Sequence, residues 1–344
     1  MIRSDTGGGV RLKDIARHSN LSLATVSRVL RGSGIERFSP DTRQRVTDAA
    51  RELGWVPNRL VQGIQTGRTG TVGILAVPLA GHWHRLLDSA HTELLAHDAA
   101  PLSLYPRYES AGTTELAQLR QMMERRVDAI ACWPLVDAAA MRYLVDLCAK
   151  QVPVVAIDFD FSDPGTRTSS VRTSESCGMN LSVDHLFRLG HRRIGYVGPQ
   201  SDDAWAVRRR DAFTAAVRER RLKDTKVEAV PKHQLSAREG MRRVLSSVSA
   251  VIVGSEQLAL LAYEMARELS LVVPAELSIV SFGQPQADFP IWPEFTFVDQ
   301  RPELLGKRVA ELLLSAGAAR SPVYVDVDPQ LVAGQTTAPP KSGG

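Results

Sequence analysis

The chain has 344 residues, 44% hydrophobic and 23% charged, which is enough for two or three ordinary globular domains and excludes a wholly disordered or collagen-like protein. No stretch reaches the roughly 18 apolar residues of a membrane span, and the polar start MIRSDTGGG lacks the apolar core of a secretory signal. Residues 1–68 carry 12 Lys and Arg against 6 Asp and Glu, while the other 30 and 32 leave the rest slightly acidic, so the head either meets a polyanion or is simply a solvated basic terminus.

Residues 1–9 read as a disordered tail. From Leu12 to about Gln65 the pattern is helical. Leu12, Ile15 and Ala16 share one face of a short first helix. Ser19-Asn20-Leu21 then forms a tight turn, where Asn tolerates the left-handed conformation. Ser22 caps a second helix, Leu23–Leu30, whose Val26, Val29 and Leu30 point inward. Leu23, Ala24, Thr25, Ser27 and Arg28 are left for its outer and N-terminal surface. A helix displayed in this way after a tight turn can enter a DNA major groove. A third helix starts at Ser39-Pro40 and stops near Gly54.

After Thr66-Gly67-Arg68-Thr69-Gly70 the texture changes. Strand-like runs lie at 71–77, 102–105, 129–132, 152–157, 194–197, 250–253 and 277–282. Helical stretches lie at about 84–97, 113–126, 137–149, 174–189, 204–221, 237–247, 256–269 and 302–315. This alternation predicts parallel sheets covered by helices. Some 260 residues exceed one modest sheet, so two doubly wound lobes with a ligand cleft between them fit better. The Thr-, Pro- and Gly-rich end, 334–344, reads as a disordered tail.

The head resembles the lac repressor family of bacterial transcription regulators. The resemblance rests on Leu12-Lys13-Asp14-Ile15-Ala16, then Ser22 through Leu30, Ser39-Pro40-Asp41-Thr42-Arg43, and Leu53-Gly54-Trp55-Val56-Pro57-Asn58, in that order. It extends across residues 10 to 333, although the loop from Gly32 to Phe38 is longer than the family's. It implies an N-terminal all-α helix-turn-helix head at 10–57, a hinge helix and linker at 58–68, and an effector-binding and dimerisation body at 69–333. That body would be α/β, with two doubly wound parallel-sheet lobes like those of periplasmic binding proteins.

It also implies a homodimer on a palindromic double-stranded DNA operator, with one second helix per major groove. Leu23, Ala24 and Arg28 would read bases, Arg28 by reaching a guanine edge or else by clamping a phosphate. Thr25, Ser27 and Asn58 would bind phosphate. Ile64 stands where the family places an apolar minor-groove wedge; packing against the body is the other reading.

For the body, the segment from Leu186 to Val197, with Gly190 as helix stop and His191 supporting the turn, is similar to the family's helix–turn–strand. By the resemblance, Asp158, Arg209 and Gln300 take effector-pocket positions, with Arg209 as the main polar anchor. Trp83 and His84 would lie in the loop after the first strand and Trp133 after a later one, to stack on a sugar or to pack the lip. Two departures stand out. Ser255-Glu256 replaces a common Asn-Asp pair, and Ser281-Phe282-Gly283-Gln284 replaces a Gly-Tyr-Asp-Asp run. Ser255 and Gln284 thus become the pocket residues there, and Gln284 hydrogen-bonds without charge. A sugar or sugar derivative is the expected effector, with an anionic one left open by Arg208, Arg209 and Arg210.

Three cysteines, Cys132, Cys148 and Cys177, without CxxC spacing suit a reducing cytoplasm and no disulfide framework. His82-Trp83-His84 lacks the partners of a metal site. No phosphate loop, HExxH, GxSxG or complete GxGxxG motif is present, so neither an enzyme nor a cofactor is expected. The leading reading is a cytoplasmic, effector-controlled transcription regulator, most simply a repressor, without membrane attachment. The alternative is a small-molecule, sugar-binding protein with no regulatory role, which the helix-turn-helix opposes.

Overall fold

The computed structural model describes residues 10–31, 34–56, 67–76, 81–109, 112–159, 168–231, 234–285, 293–315 and 321–341. The chain divides after Thr69 into two compact units. Asn58 and Ile64, with most of the expected hinge, lie outside the described residues.

In the first unit, α1 (Leu12–Ser19), α2 (Leu23–Leu30) and α3 (Pro40–Glu52) surround a small core of Ile15, Val26, Val29, Val46, Ala49 and Ala50. So small a core leaves the helix ends to be fixed by polar groups. Asn20 ends α1 in the left-handed region at φ 52°. The Ser22 hydroxyl accepts from the Thr25 N–H at 3.0 Å, and the Ser39 hydroxyl from the Thr42 N–H at 3.2 Å, ahead of Pro40. The Arg45 guanidinium donates to the Ser19 carbonyl at 2.7 Å, tying α3 to the end of α1.

The second unit holds two six-stranded sheets, as the alternation predicts. Its elements begin with β1 (Thr71–Leu75), α4 (His82–Ala96), β2 (Ala100–Leu104), and a small hairpin of β3 (Tyr108–Glu109) and β4 (Gly112–Thr113). There follow α5 (Glu115–Glu124), β5 (Ala129–Cys132), α6 (Ala138–Ala149), β6 (Val154–Ile157) and β7 (Ser169–Thr173). Next come α7 (Glu175–Leu189), β8 (Ile194–Pro199), α8 (Ala204–Glu219), β9 (Lys226–Val230), α9 (Gln234–Leu245), β10 (Ala250–Val253), α10 (Glu256–Glu268) and β11 (Ser278–Phe282). The last are β12 (Thr296–Asp299), α11 (Pro302–Ser315), β13 (Tyr324–Val327) and β14 (Gln330–Val332).

Lobe 1 has the strand order β13-β7-β6-β5-β1-β2, all parallel. Lobe 2 has β14-β12-β11-β10-β8-β9, parallel except for β14. Alternate residues feed opposite faces of each sheet. In β5, Ala129 and Ala131 join the core under α4 and α11, whereas Ile130 and Cys132 join the core under α5 and α6. In β10, Val251 and Val253 face α9 and α10, whereas Ala250 and Ile252 face α7 and α8. Gly306 in α11 lets that helix press on α4, because a Cβ there would strike the Leu86 carbonyl.

The chain passes between lobes three times: from β7 into α7, from β12 into α11, and from β13 to β14. Residues 158, 173, 175 and 300 therefore lie at strand ends or crossovers, where α/β ligand sites form.

The expected disordered tail is corrected: residues 334–341 are described and fastened to lobe 2. Thr336 is fully buried. Its hydroxyl donates to the Ile279 carbonyl at 2.7 Å and accepts from the Thr296 N–H at 2.9 Å. The Ile279 N–H donates to the Thr336 carbonyl at 2.8 Å. His191, expected to support its turn, reaches further: Nε2 donates to the Ala338 carbonyl at 2.9 Å, and Nδ1 lies 2.9 Å from the Ser249 hydroxyl. Composition misread this segment because its backbone groups are satisfied by the lobe, not by an element of its own. Thr336→Val keeps the shape but strands a buried N–H and a buried carbonyl, so it should cost about 1–3 kcal/mol in urea unfolding. A disordered tail would show no change.

Candidate DNA-reading surface and effector cleft

The outer face of α2 is built by its register. Val26 and Val29 are buried, which turns Leu23, Ala24 and Arg28 outward. Leu23 is 52% exposed, an unusual place for leucine unless something covers it. Arg28 is exposed and makes no ion pair or hydrogen bond among the described residues. Thr25 and Ser27 are half-buried, and the Thr25 hydroxyl lies 2.8 Å from that of the capping Ser22.

The cleft centres on Arg209 of α8, which is 4% exposed. Its Nε donates to Glu175 Oε2 at 2.6 Å and its Nη2 to Glu175 Oε1 at 2.9 Å. Nη1 donates to the Gly254 carbonyl at 2.7 Å, and Nη2 also reaches Gln300 Oε1 at 3.3 Å. The Phe282 ring covers the guanidinium at 3.7 Å and Trp205 lies at 4.9 Å. Phe213, four residues on, packs instead against Tyr196 in the lobe 2 core.

Asp158 is buried just past β6 with φ 59°. Its carboxylate accepts from the Thr173 N–H at 3.1 Å, and its carbonyl accepts from Arg208 of lobe 2 at 2.9 Å. The Thr173 hydroxyl donates to Gln300 Oε1 at 3.4 Å. Asp158, Arg209 and Gln300, expected together, do meet, with Glu175 and Thr173 between them. Burial, aided by the Glu175 charge, raises the Asp158 carboxyl to about 6.

Beside this group is an opening of about 210 Å³, including solvent at its mouth. His82 and Arg85 line it from α4, Glu256 from α10, and Gly283 and Gln284 from the end of β11, with Asp299, Gln300 and Pro302 at the crossover. Arg85 donates to Glu303 at 2.6 Å and to Gln284 Oε1 across the lobes at 3.4 Å. Burial, with Arg209 and Arg85 nearby, holds the His82 imidazole down at about 3, so it is neutral, and its buried Nε2 has no partner among the described residues.

Other expected residues sit elsewhere. Trp83 and His84 are in the first turn of α4, not in a loop, because the helix begins at His82. His84 is exposed, and His82 takes the cleft position. Trp133 packs in the lobe 1 core with Trp83 against it. The Ser255 hydroxyl caps α10, accepting from the Leu258 N–H at 3.4 Å, and the next residue, Glu256, reaches the opening. Sequence reasoning missed His82, Arg85, Glu175 and Glu256. The spacing of His82 and Arg85, three apart on one helical face, was the available signal for the first two.

Burial pushes the Glu256 carboxyl up to about 7, against the pull of Arg209 and Arg85. The folded carboxyl thus holds its proton above the ordinary value of 4.5, and the folded state loses stability as pH rises from about 4.5 to about 7. Glu256→Gln removes that loss. It should stabilise the protein by about 1–2 kcal/mol at pH 8, a figure reduced for partial exposure, and change little at pH 5. Thermal unfolding at the two pH values checks this.

Known proteins share this domain architecture. Residues 11–58 match the model of bacterial regulatory proteins of the lacI family, and 183–337 match a periplasmic binding protein-like domain. An uncharacterised HTH-type transcriptional regulator in the aml 5′ region of Streptomyces limosus is 30% identical over 358 residues, covering 97% of this chain and 96% of that protein. A lac repressor dimer bound to operator and the anti-inducer ONPF superposes with a TM-score of 0.75 at 23% identity, covering 96% of this chain and 99% of that one. A complex of the transcriptional regulator CelR with cellobiose gives 0.66 at 23% identity, covering 95% and 99%. Among the described residues no helix is long and apolar enough to cross a membrane. With the capped helix-turn-helix ahead of a two-lobed body, the chain belongs to the lac repressor family of bacterial regulatory proteins and is a DNA-binding transcriptional regulator.

Proposed function

We propose that the protein works in the cytoplasm as a homodimeric repressor, placing one α2 helix of each subunit in successive major grooves of a palindromic operator. The observation that carries this is the outward row of Leu23, Ala24 and Arg28 on a helix whose start is fixed by Ser22. Arg28 donates to a guanine edge, and Leu23 and Ala24 meet thymine methyls. Thr25, Ser27 and, beyond the described residues, Asn58 hold phosphates. Ile64 is the minor-groove wedge. One head reads too few base pairs to define a genomic site, and two-fold symmetry doubles them.

The effector is a sugar or sugar derivative held between the lobes. Support comes from the opening lined by both lobes and from the cellobiose complex of a structural neighbour. Asp158, Arg209 and Gln300 form its floor, Gln284 and Glu256 its lobe 2 side, and His82 and Arg85 its lobe 1 side, while Trp83 and Trp133 pack behind that wall and Ser255 holds the start of α10. The effector changes DNA affinity only through a difference between its affinities for the DNA-bound and free states. A sugar-binding protein without a regulatory role would have no use for the exposed reading face.

Selection of bound DNA from a random pool should return a palindrome, with affinity falling steeply as salt rises. On that site Arg28→Ala should cost about 1–3 kcal/mol at one position per half-site and leave single-base variants there equally bound. Uniform weakening across all sequences would make Arg28 a phosphate clamp.

A further inference from the structure

The strands of lobe 2 run with their C-terminal ends toward the cleft, where Gly254 and Gly283 stand. Their N-terminal ends form the opposite end of the lobe. Lobe 1 is arranged in the same way, with Asp158 past β6 at the cleft and Thr71, where the chain enters β1, at the other end. The N-terminal end of the lobe 2 sheet is therefore the end of the body away from that entry.

A group of cations collects there. Arg193 leads into β8, Arg218 and Arg221 close α8, Lys223 and Lys226 lead into β9, and Arg242 stands in the last turn of α9. The three strands concerned are neighbours: Lys226 is in register with Gly195, and Ile194 with Ala250. The helices α8 and α9 cover opposite faces of this sheet. All these cations are exposed, and their side chains make no ion pair or hydrogen bond among the described residues. The nearby acids are spent on two other arginines. Asp184 and Glu219 hold Arg220 at 2.6 and 3.4 Å, and Glu228 and Glu239 hold Arg243 at 2.5 and 3.4 Å.

Cations at helix C-termini complement the helix dipole, which accounts for Arg218, Arg221 and Arg242. It does not account for Arg193, Lys223 and Lys226, which lie in turns and at a strand start, where the net dipole is small. Like charges gathered on one face repel each other in the free protein, and a polyanion removes that repulsion. A helix is about 10 Å thick, so a sheet with a helix on each side presents an end roughly 20 Å or more across. Duplex DNA carries about one phosphate per 1.7 Å of its axis, so about a dozen lie within that length. Protein partners are held mainly at apolar and aromatic anchors. Among the described residues of α8, α9, β8 and β9, Val227 is the only large apolar side chain that is strongly exposed.

We infer that this end of lobe 2 is a second DNA contact, which holds the phosphate backbone of another stretch of duplex while the head stays on its own site. Contacts of this kind give position and affinity, not sequence preference. The head brings the body to DNA, so neighbouring duplex is present at high effective concentration. The inference does not depend on what the cleft binds.

The test places the full chain on an immobilised duplex carrying its selected site and then adds a labelled duplex of unrelated sequence. The wild type should capture the second duplex, and capture should fall steeply as salt rises. The triple variant Arg193→Gln, Arg221→Gln, Lys226→Gln should hold the immobilised site as the wild type does. It should lose capture by about fivefold or more and lower its salt slope by about three. Lys223→Gln with Arg242→Gln should lose capture as well, so a folding defect in one variant does not decide the outcome. Arg142→Gln, at an exposed cation of α6 in lobe 1, should change nothing. A wild type that holds its site but captures no second duplex overturns the inference. Capture that survives both multiple variants, or that falls as much in Arg142→Gln, overturns it also. Poly-glutamate bound at this end in place of duplex would make the partner an acidic protein and overturn it too.

Discussion

A buried ion pair between Arg209 and Glu175 organises the effector-binding body. Both side chains are almost wholly out of water, where a single charge without a partner is far costlier than the pair. The guanidinium fork therefore fixes the start of α7, the middle of α8 and the end of β10 at once, through Glu175 and the Gly254 carbonyl. Through Gln300 it also reaches the crossover into α11, and through Gln300 and Thr173 it connects to Asp158 of lobe 1. A shift of one lobe against the other has to be taken up by this chain of hydrogen bonds together with the Arg208–Asp158 and Arg85–Gln284 contacts.

The same pair determines what Arg209 itself can offer to the cleft. A guanidinium counts toward ligand charge only if its donors face the ligand. Here Glu175 neutralises it from behind, and its remaining donors close on backbone and amide oxygens. The opening beside it is lined by Arg85 and the Glu256 carboxyl as well as by the Gln284 and Gln300 amides.

Much of the architecture was legible in the residues. The head was readable because its signals are local: Asn20, Ser22 and Ser39-Pro40 act within one turn of where they stand. The eight helices and the central strands of the body were readable because burial on both faces produces continuous apolar runs such as Ala250–Val253. The strands missed were chiefly at or near sheet edges. Lys226–Val230 and Tyr324–Val327 carry charges on half-exposed faces, and no apolar run marks them. The cleft was half legible. Arg209, Asp158 and Gln300 came from the resemblance, but Glu175 and Glu256 are each the first residue of a helix. An acid there reads as an ordinary complement to the helix dipole. Tertiary placement alone separates these two from any other first-turn glutamate. The tail was illegible for the opposite reason, since its hydrogen-bond partners lie 40 to 150 residues away.

The three passages between lobes bear on how the protein is made. Lobe 1 is not a continuous stretch: its edge strand Tyr324–Val327 is synthesised after nearly all of lobe 2. The head, whose contacts are all short in sequence, can fold as soon as it leaves the ribosome, whereas lobe 1 has to wait with β7 uncovered along one edge until the last residues emerge. Lobe 2 waits as well, for β14 and the strap that follows it. During translation the cell thus holds a finished DNA-reading head attached to two unfinished lobes. A stalled or truncated chain would keep the means to touch DNA and lose the two-lobed body that goes with it.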